Sequence, residues 1–161
     1  MRKLACLCIV ACAAPLGVAA SQAEPLTPRD GTLVVQNGRG IVAVSARGGI
    51  IGRFDSGRVL IEDPIESDGT PPVVYGAERV RDLSNSKTLY VGTDVRFRII
   101  GGFFRVRVIA TGTYVSVVGR GTATLSSDGF LDAGTFTLNG ADPLPVPDVP
   151  QTFVIGAQTT P

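Results

Sequence analysis

Short runs of alternating apolar and polar residues recur along most of the chain, and turn-forming residues separate them. Clear examples are residues 32–35, 41–45, 58–61, 104–108 and 122–125. Alternation with a period of two residues is typical of strands that bury one face and expose the other. The pattern therefore predicts an all-β protein made of many short antiparallel strands.

The strand pattern occurs twice along the chain. A shift of 64 positions places residues 30–78 on residues 94–142 without a gap, with 10 identities in 49 positions. The identities are mostly glycines at expected turns and apolar residues at alternate strand positions, and further positions match as apolar pairs, such as Leu33/Phe97 and Ile51/Val115. Because the matching residues are mainly of these two kinds, the match predicts a tandem duplication of one β unit. Two copies are too few for a solenoid, which needs three or more repeats to bury its faces.

Turn signals divide each predicted repeat into two hairpins. Asn37-Gly38 is a strong two-residue hairpin signal, and Gly101-Gly102 occupies the matching place in the second repeat. Residues 55–57 and 119–121 form matching three-residue turns that end in glycine. Two such units predict an antiparallel β-sandwich, with a closed β-barrel as the alternative.

The first 23 residues are predicted to be a secretory signal peptide. Arg2 and Lys3 precede a short apolar stretch, and small residues at Ser21 and Ala23 predict cleavage after Ala23. The expected location is therefore outside the cytoplasm: secreted, periplasmic or at the cell surface. The alternative is a lipoprotein anchored through Cys12, which ends a lipobox-like sequence.

The remaining chain divides into one β domain over residues 24–142 and a proline-rich C-terminal tail over residues 143–161. The polar region 79–93 between the repeats is predicted to be a linker with one extra strand. Proline at nearly every second position predicts extended chain for the first part of the tail. Residues 153–155 are predicted to add an edge strand.

Charge and composition narrow the possible partners. The chain has 15 basic and 14 acidic residues, and removal of Arg2 and Lys3 leaves 13 basic residues and a net charge of −1. This balance gives no reason to expect a nucleic-acid partner. Beyond the signal segment, no apolar stretch reaches the roughly 18 residues of a membrane-spanning helix.

The residue types present exclude most catalytic and metal chemistry. The chain has no histidine or tryptophan, and its 3 cysteines lie in the predicted signal. Nucleophiles activated by histidine and metal sites built from imidazole or thiolate are therefore excluded. We predict no catalytic residue, no cofactor and no metal. The alternative is a hydrolase that uses carboxylates in the acidic loops, with Asp63, Glu66, Asp128 and Asp132 as candidates.

The acidic segment over residues 62–69 has the oxygen ligands that a calcium loop needs, but a solvated turn is the preferred interpretation.

The three tyrosines, Tyr75, Tyr90 and Tyr114, are spaced like strand residues. They are predicted to pack in the core or at strand edges rather than to form a platform for sugars.

An arginine cluster is the most specific feature of the sequence. If Gly101-Gly102 closes a hairpin, Arg98 faces Arg105 and Arg96 faces Arg107 on one face, with Phe103 at the tip. Like charges placed directly opposite each other destabilise a sheet, so the cluster suggests a site for anions or for a partner. The competing interpretation is that Glu78, Asp82 and Asp94 neutralise these arginines.

These observations predict a non-catalytic extracellular or cell-envelope module with a binding or structural role. Its expected partner is an anionic cell-envelope polymer or a protein. The sequence makes no prediction about its oligomeric state.

Overall fold

The computed structural model describes residues 29–129 and 132–156, and this part of the chain forms strands and no helix. In chain order the strands are β1 (Gly31–Glu62), β2 (Val73–Ser84), β3 (Lys87–Ile99), β4 (Phe103–Ser127), β5 (Thr135–Leu138), β6 (Leu144–Pro145) and β7 (Gln151–Ile155). All of them pair antiparallel. The predicted all-β antiparallel fold is thus confirmed. The predicted signal segment, including Cys12, lies outside the described residues.

The two longest strands, β1 and β4, pair with each other in two different registers. Residues 31–47 of β1 pair with residues 103–119 of β4, and residues 40–62 pair with residues 105–127. Residues 40–47 of β1 and residues 105–119 of β4 therefore have the other strand as their neighbour on both sides. This is possible only because both strands bend sharply along their length.

The bends divide the sheet into two rows of paired segments. The first row runs in the order β7, β4 (120–127), β1 (40–47), β4 (103–110), β1 (56–62), β3 (87–92) and β2 (79–84). The second row runs in the order β6, β5, β1 (31–35), β4 (114–119), β1 (48–53), β3 (95–99) and β2 (73–75). Both rows end in strands that pair on one side only. The sheet is therefore open, and the closed barrel considered as the alternative is not formed.

One apolar core collects alternate residues from both rows. The first row contributes, for example, Val44, Val59 and Phe104, and the second contributes Leu33 and Val115. No helix covers either row in residues 29–129 and 132–156, and buried residues of both rows belong to one apolar cluster. Alternation along the strands thus places one face in the core and the other in solvent. In the same ranges, no helix has the length and apolar character needed to cross a membrane.

Glycine is required where the bent strands approach each other most closely. Gly48 pairs directly with Gly119, and their φ angles are 145° and 153°. A Cβ atom on Gly48 would collide with the Val118 carbonyl oxygen, and one on Gly119 with the Arg47 carbonyl oxygen. The chain therefore needs glycine at both positions to bend.

Three of the predicted hairpin turns are instead bends inside strands. β1 runs without interruption through Asn37-Gly38 and through residues 55–57, and β4 does the same through residues 119–121. Asn37 has a φ of 52°, and the β1–β4 register shifts between Val35 and Gly38. Residues that tolerate positive φ fit a bulge as well as a hairpin. The sequence therefore locates the irregular positions correctly, but the predicted hairpins at these positions are wrong.

The segments outside the long strands also join the sheet. Residues 79–93, predicted to be a linker with one strand, form most of the β2–β3 hairpin. Within the proline-rich tail, β6 pairs with β5, and the predicted edge strand is confirmed as β7, which pairs with β4. Val146 and Ile155 from this tail are buried in the core.

Candidate functional site

The predicted arginine hairpin does not form. Gly101-Gly102 connects β3 to β4, but these strands pair with β1 and not with each other. The connection carries the chain from the second row to the first, and the Gly102 carbonyl accepts a hydrogen bond from the Gly48 N–H over 3.0 Å. Arg98 therefore does not face Arg105, and Arg96 does not face Arg107. The candidate residues lie as two pairs on different rows.

Arg105 lies on the first row and contacts a carboxylate that it shares with a second cation. It pairs across the strands with Glu62, and its Nη1 lies 3.2 Å from Glu62 Oε1. Glu62 Oε2 also lies 3.1 Å from Lys87 Nζ. The hydrogen bond from Lys87, with the positive charges of Lys87 and Arg105, lowers the pKa of Glu62 from its ordinary value of 4.5. The Arg105 guanidinium also lies 5.7 Å from the centre of the Phe103 ring.

Arg107, the other candidate on the first row, has apolar neighbours. It pairs with Ala43 on one side and with Leu60 on the other. No carboxylate in the described part of the chain lies within 4.0 Å of its guanidinium. Arg107 is thus an exposed cation beside a cluster in which one carboxylate, Glu62, contacts two cations, Arg105 and Lys87.

The other two arginines, Arg96 and Arg98, lie in a groove on the outer face of the second row. Tyr75, Arg96, Arg53 and Tyr114 occupy directly paired positions on the adjacent strands β2, β3, β1 and β4. Arg98 pairs with Ile51 one step further along the same face. These six residues line an open cavity of about 600 Å³, called here the Tyr–Arg groove.

The positive charge in the Tyr–Arg groove is poorly compensated. Arg53 directly faces Arg96 across the strands. Asp94 Oδ1 lies 3.6 Å from Arg96 Nη2, but the two side chains are 79% and 64% exposed, so this contact contributes little. No carboxylate of residues 29–129 and 132–156 lies within 4.0 Å of the guanidinium of Arg53 or Arg98.

The acids expected to neutralise the arginines have other partners. Glu78 accepts hydrogen bonds from the Thr93 hydroxyl and backbone N–H, and these bonds lower the pKa of Glu78. Asp82 accepts a hydrogen bond of 2.8 Å from the Thr88 hydroxyl. Of the three predicted acids, only Asp94 approaches an arginine of the cluster.

The three tyrosines differ in their surroundings, and Tyr75 lies at a strand edge, as predicted. Tyr75 is 67% exposed on the edge strand β2, and the ring of Tyr114 has the Arg53 guanidinium 5.8 Å from its centre. Tyr90 packs against the core, as predicted. Strand alternation alone places Arg53 on the outer face, but only the pairing register shows that it meets Arg96 between two tyrosines.

The carboxylates proposed for hydrolysis are divided among separate loops. Asp63 and Glu66 line one cavity of about 360 Å³, whereas Asp132 lines another beside Asp148. Asp63 accepts a hydrogen bond from the Ile65 N–H within its own turn, and Asp128 lies 2.7 Å from Arg39. The described residues contain no group of three or more side chains able to hold a metal ion.

Within the acidic segment, Asp68 has a clear structural contact. Its Oδ1 accepts a hydrogen bond from the Phe103 N–H over 3.2 Å, and its Oδ2 lies 2.6 Å from Arg47 Nη2. The second contact is ionic, because its geometry does not satisfy a hydrogen bond. Asp68 thus ties the acidic loop to the start of β4.

The chain matches no known protein-family model, no curated protein and no solved structure.

Proposed function

We propose that the chain is a non-catalytic binding module and that the Tyr–Arg groove is its contact surface for an anionic partner. The observation that carries this proposal is the direct pairing of Arg53 with Arg96, with little compensating charge around them. Like charges at paired positions cost stability. An anion placed between the two guanidinium groups turns this repulsion into attraction, and the planar guanidinium suits carboxylate, sulfate and phosphate groups.

The proposal changes the membership of the predicted site. Arg96 and Arg98 remain in it, and Arg53 joins them from β1. Arg105 leaves it, because it lies on the first row and already contacts Glu62. Arg107 lies on the first row as well, apart from the groove.

We also propose that the protein acts outside the cytoplasm. Support comes from the basic start, the short apolar stretch and the small residues before Glu24. Retention through Cys12 remains the alternative. Mass spectrometry of the protein isolated from its source distinguishes the two, because cleavage after Ala23 leaves Glu24 as the N-terminus, whereas lipidation leaves acylated Cys12.

We propose further that the two rows form a β-sandwich that arose by duplication. Two pairings support the duplication. Leu33 pairs with Leu138, and Phe97 pairs with Val74. A shift of 64 positions relates these two pairs, because it places Leu33 on Phe97 and Val74 on Leu138. Gly76 and Gly140, which the shift also relates, have φ angles of 78° and 77°. The match is imperfect.

The predicted pair Ile51/Val115 does not match in burial, because Ile51 is 54% exposed and Val115 is fully buried. The shift therefore changes by one residue near this point. If Val74 and Leu138 occupy equivalent, partly buried environments, exchanging them as Val74→Leu with Leu138→Val changes each site by one methylene group and should cost less than about 1.5 kcal/mol of stability. A much larger loss in chemical denaturation would contradict the equivalence.

Binding measurements on the chain from Glu24 onward, which contains every described strand, test the main function. A panel of anionic and neutral cell-envelope polymers is titrated at low and at moderate salt. We expect salt-sensitive binding to the anionic polymers that weakens at least about tenfold when Arg53, Arg96 and Arg98 are all changed to glutamine.

The matched control changes Arg79, Arg81 and Arg107 to glutamine, which removes the same charge from exposed positions outside the groove. We expect it to keep most of the affinity. Equal losses in the two triple variants would reduce the effect to net charge. Absence of binding to every anionic polymer would refute the proposed function.

A further inference from the structure

We infer that the Tyr–Arg groove takes an acidic polysaccharide whose sugar chain runs across the strands. This inference rests on the proposed function and specifies its ligand. The groove presents an ordered line of side chains, Tyr75, Arg96, Arg53 and Tyr114, on four adjacent strands. Aromatic rings thus flank a pair of cations at directly paired positions.

The dimensions of this line suit a short stretch of polymer. Adjacent strands lie about 4.8 Å apart, so three steps separate Tyr75 from Tyr114 by roughly 14 Å. The spacing between neighbouring sugar rings in an extended chain is close to one strand spacing. A stretch of four sugars therefore places a ring on each tyrosine and an anionic ring over each of the two arginines.

The chemistry of the side chains suits sugar carboxylates. A tyrosine ring offers a flat apolar face for the C–H face of a pyranose and a hydroxyl for its polar edge. Arginine forms paired hydrogen bonds with a carboxylate in one plane. Arg98 lies beside Arg96 on the same face and gives a third cation for an anionic group on the flank.

Other anionic partners fit the groove less well. A polyphosphate would use the arginines and leave both tyrosines without a contact. A lipid headgroup needs apolar residues that enter the bilayer, and Ile51 is the single aliphatic residue of the groove with an exposed side chain. Single-stranded nucleic acid also combines rings with charge, but proteins that bind it have an extended basic surface. The Tyr–Arg groove instead holds three arginines within one cavity.

The test is isothermal titration of the chain from Glu24 onward with oligouronates of one, two, four and six sugars. Neutral oligosaccharides of the same lengths, inorganic polyphosphate and a single-stranded oligonucleotide serve as comparison ligands. We expect affinity to rise up to about four sugars and then to level off, because the line of side chains spans roughly three strand spacings. The neutral sugars should bind at least about tenfold more weakly than the matched oligouronate.

Two pairs of variants separate the contributions of the rings and the charges. Tyr75→Ala with Tyr114→Ala should weaken tetrauronate binding about tenfold but polyphosphate binding by less than about threefold, since Tyr114 also contacts Arg53. Tyr75→Phe with Tyr114→Phe keeps the rings and should stay within about threefold of the original protein. Arg53→Gln with Arg96→Gln should weaken the binding of both ligands. Thermal unfolding of each variant confirms that it is folded.

The outcomes distinguish this inference from the function on which it rests. If the alanine variant binds tetrauronate as tightly as the original protein while the arginine variant does not, the groove binds anions but not sugar rings. Tighter binding of the oligonucleotide than of any oligouronate would also overturn the polysaccharide ligand. If no anionic ligand binds, both the ligand and the proposed function are wrong.

Discussion

Arg53 and Arg96 should repel each other measurably in the protein without ligand. Two unit charges roughly 6 Å apart, a separation similar to that of side chains at paired strand positions, interact by about 0.7 kcal/mol even in a medium as polar as water. The pair is exposed, and that value applies at low ionic strength, where the Debye length is long. We therefore predict a repulsive coupling of about 0.2–1 kcal/mol between the two side chains.

A double-mutant cycle with Arg53→Gln and Arg96→Gln isolates this coupling. Each single change also removes another contact, namely the Tyr114 ring near Arg53 and Asp94 near Arg96. The cycle cancels those losses and leaves the interaction between the two arginines. The assay is urea unfolding in about 10 mM salt and again in about 1 M salt, where the Debye length falls to roughly 3 Å. The coupling should be repulsive at low salt and should nearly vanish at high salt.

The control cycle uses Glu62→Gln and Arg105→Gln, which are paired across the first row at 3.2 Å. It should give an attractive coupling of similar size that salt also weakens. The contrast in sign makes the experiment decisive. An attractive or absent coupling between Arg53 and Arg96 at low salt would show that their charges are compensated, and the argument for an anion site between them would fail.

The remaining predictions concern the contacts that hold the fold. Because the folded protein lowers the pKa of Glu62, this residue contributes stability above about pH 4.5 that is lost as the pH falls further, and Glu62→Gln should flatten the acid limb of a thermal-unfolding profile; an unchanged limb would contradict this. Asp68→Ala should cost about 1–3 kcal/mol in urea unfolding, because the Phe103 N–H loses its acceptor, and a loss below about 0.5 kcal/mol would argue against that contact. Gly119→Ala should prevent folding or destabilise the protein by more than about 2 kcal/mol, since its φ of 153° and the nearby Arg47 carbonyl oxygen leave no room for a methyl group. Wild-type stability in this variant would show that the bend is not as tight as described.

Alternation was sufficient to predict which residues are buried, but not which strands are neighbours. Leu33, Val44 and Phe104 face the core as their period of two residues requires. Their partners were inferred from turn signals instead, and Asn37-Gly38 illustrates why this failed. A residue pair that tolerates positive φ fits a hairpin or a bulge equally well, and only long-range pairing decides between them.

The same ambiguity determined how much of the candidate site was predictable. Arg96 and Arg98 were identified because they alternate with buried residues on an outward face, and that placement is independent of the neighbouring strand. Their partners depend on β1, which lies between β3 and β4 and separates Arg98 from Arg105. Arg53 comes from a segment more than 40 residues away in sequence and enters the groove through this insertion alone. The sequence therefore identifies the outward-facing arginines of β3, whereas the two-register pairing of β1 with β4 determines which arginines line the same groove. Arg53 faces Arg96 without an adequate counter-charge, so the repulsion between them lowers the stability of the protein without a ligand. This cost is the physical reason to look for an anion in the groove.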